Sequence, residues 1–138
     1  MRDFVVDVLK QMEAGWSHPD AAAQVSGLYS ETAVLRDMTI DDPLEGRAAI
    51  AEGVAATLAA ISDFGYVTTL VSDDGETAVV EWVTTGRHTG AFADETPTGN
   101  AIDFRGVNLL TFDAAGLILE ERCYWDSASL ARQIASPS

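Results

Sequence analysis

"YVTTLVSDDGETAVVEWVTTGRH", residues 66–88, reads as two period-two runs joined by a tight turn. Side chains alternate across a strand, so the second run places Val79, Glu81 and Val83 on one face and Trp82 on the other. Asp74 and Gly75 in the intervening "DDGE" supply the positive φ angles that a hairpin turn needs. Working outward, the longer connection "TGAFADETPTGN" (89–100) leads to a third run, "FRGVNLLTF" (104–112), and "DAAG" (113–116) turns it into "LILEERCYWD" (117–126). Four strands in succession make an antiparallel meander. A short helical stretch and a Ser/Pro tail follow.

The first half has a helical period instead. Phe4, Val5, Val8, Leu9 and Met12 share one face of a helix over 4–14, and Gly15 stands where a C-terminal cap belongs. Ser17 and Asp20 resemble a capping box, and Ala22, Val25 and Leu28 form the stripe of a second helix. A third runs from Arg47 to Ile61 with Ile50, Val54, Leu58 and Ile61 inward. Between these two helices, "ETAVLRDMTIDDPLEG" (31–46) is a short β segment and a polar loop. Helices followed by a meander define an α+β fold. The expected form is a cone-shaped α+β barrel: one domain over 1–138, in which three N-terminal helices and a strongly curved antiparallel sheet enclose a deep, mostly apolar pocket.

Composition narrows the ligand. With 22 acidic against eight basic side chains the formal net charge is −14, which repels phosphate backbones and acidic membranes. Nucleic acid and membrane are therefore excluded as partners, and a neutral, apolar small molecule is the expected one. No apolar run approaches the roughly 18 residues that span a bilayer. A chain opening on Met1, Arg2 and Asp3 and an amphipathic helix, with one cysteine, Cys123, suggests the reducing cytoplasm. No cluster has metal-ligand spacing and no Gly-rich phosphate loop occurs, so neither metal nor cofactor is expected. The Val, Trp and Thr alternation of "TAVVEWVTT" (77–85) suits a homodimer through the sheet.

Two polar residues interrupt the apolar pattern. Asn108 falls in the stripe of Ile102, Phe104, Gly106, Leu110 and Phe112, where an unpaired amide would cost about 1–3 kcal/mol. It either satisfies a backbone group at a bulge, which Gly106 would signal, or points into the pocket as a donor. Asp37 shares the face of Ala33 and Leu35. It either caps the following loop or acts as a carboxylate base in apolar surroundings, removing a proton beside a carbonyl.

"LRDMTIDDPLEGRAAI" (35–50), "GRHTGAF" (86–92), "PTGNAIDFRGVNLLTF" (97–112) and "YWDSASLARQI" (124–134), in this order, resemble the SnoaL-like polyketide cyclases and ketosteroid-isomerase-related proteins of the nuclear transport factor 2-like superfamily. The resemblance implies the cone-shaped fold and cofactor-independent proton transfer. It sets Asp37 on the proton-shuttling aspartate of ketosteroid isomerase and Asn108 on its protonated aspartic acid, an oxyanion donor. The isomerase's second donor, a helical tyrosine, falls on Val8. The catalytic aspartate of the SnoaL-like cyclases falls on Cys123. Asp37 and Asn108 are thus the candidate catalytic pair, with Cys123, Trp16, Val8, His88, Phe104 and Trp125 lining the substrate. His88 would sit at the pocket rim or bond to the loop carrying Thr98 and Gly99. A module that binds such a ligand without transforming it is the alternative.

Overall fold

A computed structural model describes residues 1–91 and 95–135. The Ser/Pro tail and the centre of the 89–100 connection lie outside these residues. The elements are α1 (Asp3–Trp16), α2 (Ala21–Ser26), β1 (Tyr29–Asp37), β2 (Leu44–Glu45), α3 (Arg47–Ala60), β3 (Ile61–Asp73), β4 (Ala78–His88), β5 (Ala101–Phe112), β6 (Ile118–Trp125) and α4 (Ser127–Ala135). Helices pack on a strongly curved, unclosed six-stranded sheet of order β2-β1-β6-β5-β4-β3.

The meander β3–β4–β5–β6 is antiparallel throughout. The sheet as a whole is mixed, because β1 runs parallel to β6. That pairing spans most of the chain. Register shifts on β3, between β5 and β6, and between β1 and β6 supply curvature, since a bulge bends its strand and raises its twist.

Two apolar clusters fill the concave side. One joins Val5, Val8, Leu9 and Met12 of α1, Val25 of α2 and Ile50 and Val54 of α3 to Ala33, Ala78, Val80, Leu110 and Ile118 of the sheet. The other gathers Ala60, Ile61, Trp82, Ile102 and Phe104 around Leu130 of α4. Gln133 fastens α4 to β5: its Oε1 accepts the Asp103 N–H at 2.7 Å and its Nε2 donates to the Asp103 carbonyl at 2.6 Å. At the opposite end the Arg2 guanidinium donates twice to Asp73 (2.9 and 2.7 Å) and lies over the Phe4 and Phe112 rings.

Local signals around the helix ends were overridden by packing. Gly15 lies inside α1, not beyond it, and a Cβ there would come 3.2 Å from Val25 Cγ2. It is a contact glycine between α1 and α2. Ser17 becomes the C-cap of α1, and Asp20 precedes α2 without a side-chain cap bond, so the capping box does not form. Gly106 does not mark a bulge. The register runs unbroken through it, and the Trp82 ring lies over it, 2.3 Å from where a Cβ would stand.

Candidate functional site

Strand register brings the two candidate catalytic residues into one row. Asp37 of β1 pairs with Cys123 of β6, which pairs with Asn108 of β5, which pairs with Val80 of β4. Paired residues share a face, and buried Val80 and Asn108 fix it as the concave one. With strands about 4.7–4.9 Å apart, the Asp37 and Asn108 backbones stand roughly 10 Å apart with Cys123 between them. One pleat along, Leu35, Glu121, Leu110 and Ala78 form a parallel row; on the other side lie Trp125, Gly106 and Trp82.

Asn108 owes its place to Trp82. Its Oδ1 accepts the buried indole N–H at 3.0 Å, a group that needs an acceptor once it leaves water. With Oδ1 so engaged, the amide hydrogens on Nδ2 make no bond to any described residue. They are available as donors to a guest.

Asp37 makes the loop-capping contacts expected of it. Its Oδ1 accepts the Thr39 N–H at 2.9 Å and the Thr39 hydroxyl at 2.6 Å, which shapes the loop. The Trp125 indole N–H reaches both carboxylate oxygens, at 3.0 and 3.1 Å. The carboxylate is half-buried and fixed at the edge of the row.

The residue the sequence reading missed is Glu121. It is 5% exposed, and its Oε1 accepts the Tyr29 hydroxyl at 2.6 Å. Burial pushes its carboxyl from 4.5 up to about 7; the Tyr29 hydrogen bond opposes this, and the Asp37 charge adds to it. Burial likewise holds the Tyr29 and Tyr66 hydroxyls and the Cys123 thiol well above their ordinary values, with Glu121 the next cause in each. Cys123 therefore stays a neutral thiol and forms a floor between Asp37 and Asn108.

Aromatic rings continue from this floor across the concave side. Trp16 packs on Phe64 (4.9 Å between centroids) and Tyr66 (6.0 Å), Tyr66 on Trp82 (6.0 Å), Trp82 on Phe104 (5.9 Å) and Phe104 on Trp125 (5.1 Å). Trp82 and Trp125 touch Asn108 and Asp37, Phe104 bridges the two rings, and Trp16 lies further out beyond Tyr66. Val8 is packed in the core beneath α1.

His88 meets the second of its two expectations, the bond to the Thr98–Gly99 loop, and its place in the substrate lining is corrected. It is fully buried, its Nδ1 pairs with the Thr98 hydroxyl at 3.0 Å, and its backbone carbonyl accepts the Gly99 N–H at 2.7 Å. Eight residues along β4 from Val80, it is roughly 26 Å from the row at about 3.3 Å per residue. It organises the loop and lines no part of this site. Glu81, on the face of β4 opposite Trp82, is exposed and accepts the Thr69 hydroxyl.

Two hollows lie elsewhere. An open groove of about 390 Å³ runs along Glu81, Arg105, Val107 and Tyr124 on the convex side. A second, of about 140 Å³, lies between α1 and α2 at Gln11, His18 and Gln24. Neither borders Asp37 or Asn108. On the concave side, where a deep pocket was expected, the aromatic rings pack on one another, with Trp16, Phe64, Tyr66 and Trp125 half-buried.

This curved sheet with helices on its concave face is similar in fold to solved structures of nuclear transport factor 2-like proteins. The SnoaL-like polyketide cyclase profile matches residues 6–134, and the chain belongs to that family. It is similar in fold to a SnoaL-like polyketide cyclase candidate from Jannaschia sp. CCS1, with a TM-score of 0.88 and 20% identity over 98% of this chain and 94% of that one. IdmH, a polyketide cyclase candidate from Streptomyces antibioticus, matches with a TM-score of 0.79 and 17% identity over 98% and 100%. SalBIII, an epoxide hydrolase/cyclase-like enzyme with a role in pyran ring formation in salinomycin, matches with 0.69 and 18% over 92% and 91%. No curated protein matches the sequence. The family is thus one of cyclase- and isomerase-type proteins, and no helix among the described residues is long and apolar enough to cross a membrane.

Proposed function

We propose that this protein is a cofactor-independent proton-transfer enzyme acting on an apolar carbonyl compound, by ring closure of a polyketide-like substrate or by a double-bond shift. The observation that carries this reading is the row Asp37–Cys123–Asn108, three adjacent register positions on one concave face. Asp37 takes a proton from the carbon beside the carbonyl and later gives it to another carbon in a double-bond shift, or to the new alkoxide oxygen in a ring closure. Asn108 Nδ2 donates to the oxygen on which charge develops, and a preorganised donor of this kind is worth about 3–4 kcal/mol. Cys123, Trp16, Phe104 and Trp125 exclude water from the reacting atoms. The proton leaves and re-enters through one carboxylate, so the cycle balances without a cofactor.

The test uses β-tetralone, an apolar bicyclic ketone whose benzylic hydrogens exchange with deuterium in heavy water. Wild-type protein should accelerate this exchange and Asp37→Asn should abolish the acceleration. An Asn variant that folds and exchanges at the wild-type rate removes the mechanism.

The second reading, binding without conversion, is favoured by Val8 and Cys123 at the positions of a tyrosine and an aspartate, and by the rings packed over the row. It expects β-tetralone to bind without exchange. We also propose a cytoplasmic homodimer through the convex face, where Val67, Leu70 and Tyr124 are exposed; sedimentation at monomer mass would overturn it.

A further inference from the structure

We propose that Glu121 is a second proton carrier of this site, delivering a proton to the substrate's carbonyl oxygen while Asp37 removes the one on carbon. The proposal rests on the reading of Asp37 and Asn108 given above and adds a residue that the family resemblance does not assign.

Its ground is placement. Glu121 precedes Cys123 by two residues on β6 and faces the same side, while Asp37 and Asn108 flank Cys123 on the neighbouring strands. Glu121 is therefore the diagonal neighbour of both, each roughly 7–8 Å away between Cα atoms. The three polar side chains form a triangle around a neutral thiol. Glu121 Oε1 is tied to Tyr29, but Oε2 makes no hydrogen bond to any described residue. Oε2 is not among the enclosed unpartnered atoms of the described residues, so it keeps some accessible surface through which a guest oxygen can meet it.

The electrostatics agree. Titratable groups around Glu121 are Tyr29 and Asp37 on β1, Tyr66 on β3 and Cys123 on β6. Asp37 is the charged one among them, and its charge favours keeping the proton on Glu121. A group poised near neutrality is suited to both giving and taking a proton.

The step balances. Asp37 carboxylate takes the proton as the C–H bond breaks, and that electron pair becomes the C=C bond. The carbonyl π pair then forms an O–H bond with the Glu121 proton. Asp37 is now neutral, and Glu121 carries the charge under the Tyr29 hydroxyl that stabilises it. Reversal at a second carbon restores both groups; so does attack of the enol carbon on another carbonyl, in which the enol O–H gives its proton back to Glu121 as C=O re-forms and Asp37 protonates the new alkoxide oxygen.

The experiment uses β-naphthol, a flat apolar molecule with one oxygen, shaped like the enol. If Glu121 must be protonated to hold that oxygen, wild-type affinity falls about tenfold between pH 6 and pH 8, following the protonated fraction. Glu121→Gln should bind equally at both pH values. Tyr29→Phe should move the fall to higher pH, because the lost hydrogen bond had been lowering Glu121. In the exchange assay with β-tetralone, Glu121→Gln should lose about a hundredfold in rate. A pH dependence that survives in Glu121→Gln, a wild-type profile that is flat, or undiminished exchange in Glu121→Gln overturns the proposal. Should the Gln variant fail to fold, an unmoved profile in Tyr29→Phe does so instead. Asp37→Asn separates the two readings: wild-type exchange there sinks the role of Asp37, whatever Glu121 does.

Discussion

Replacing Glu121 by Gln should make the protein more stable at pH 8 and leave it nearly unchanged at pH 4. The reasoning starts from a carboxyl raised in the folded state, from 4.5 to about 7. Such a group binds more protons folded than unfolded, so its contribution is fully present below 4.5 and is lost as pH climbs to about 7. At about 1.4 kcal/mol per pH unit, this interval costs the wild-type fold roughly 3 kcal/mol by pH 8. Gln keeps the volume and an oxygen for the Tyr29 hydroxyl but never ionises. Urea unfolding of both proteins at pH 4, 6 and 8 measures the difference, and comparing them cancels carboxylates such as Asp73, which Arg2 holds well below the usual range. The stability gap should open between pH 4 and 8 by roughly 3 kcal/mol, with Gln the more stable. A gap that stays constant with pH, or widens in favour of the wild type, refutes the claim that Glu121 is a desolvated acid.

Three further outcomes follow from the packing around the row. Asn108→Leu should reduce the exchange rate about a hundredfold through the lost donor and also orphan the Trp82 indole N–H, so unfolding should show a loss of about 1–3 kcal/mol. Trp82→Phe should cost a similar amount by leaving Asn108 Oδ1 without its donor, read in the same unfolding assay. Gly106→Ala should destabilise by about 1–3 kcal/mol and alter the near-ultraviolet dichroism of Trp82, because the new Cβ would sit 2.3 Å from its ring and 2.8 Å from the Tyr124 carbonyl.

The fold was legible wherever its cause is local. Asp74 and Gly75 closed the hairpin between β3 and β4, with Gly75 at φ +97°, and alternation carried β4 and β5 without a break. The apolar face of α1 likewise appears as Val5, Val8, Leu9 and Met12 in the core. Pairing at a distance was not legible. Nothing within residues 29–37 announces a parallel partner ninety residues away, and Gly15 carries the local chemistry of a cap until Val25 presses against it. Asp37 and Asn108 could be singled out as polar residues at inward positions. Glu121 could not, because the register shift between Ile118 and Glu120 resets the face of β6. Strict alternation groups Glu121 with Leu119, which is 41% exposed, yet in the structure Ile118 and Glu121 both point inward.

How the buried polar groups are satisfied separates scaffold from site. At the far end of β4, His88 and Asn100 hold backbone and loop: His88 bonds Thr98, and Asn100 Nδ2 donates to the Gln133 carbonyl at 2.9 Å. Those bonds end on groups that folding itself must satisfy. Around Cys123 the arrangement is different. Asn108 and Glu121 each spend one oxygen on a neighbouring aromatic side chain, Trp82 or Tyr29, and each keeps a second polar atom unbonded to any described residue. Packing alone would have favoured Val and Leu at both positions, as at Val80 and Leu110 beside them. An amide and a costly acid stand as diagonal neighbours on a largely apolar face, each oriented by a dedicated aromatic partner, and this departure from the packing rule is the ground on which the proposed function stands.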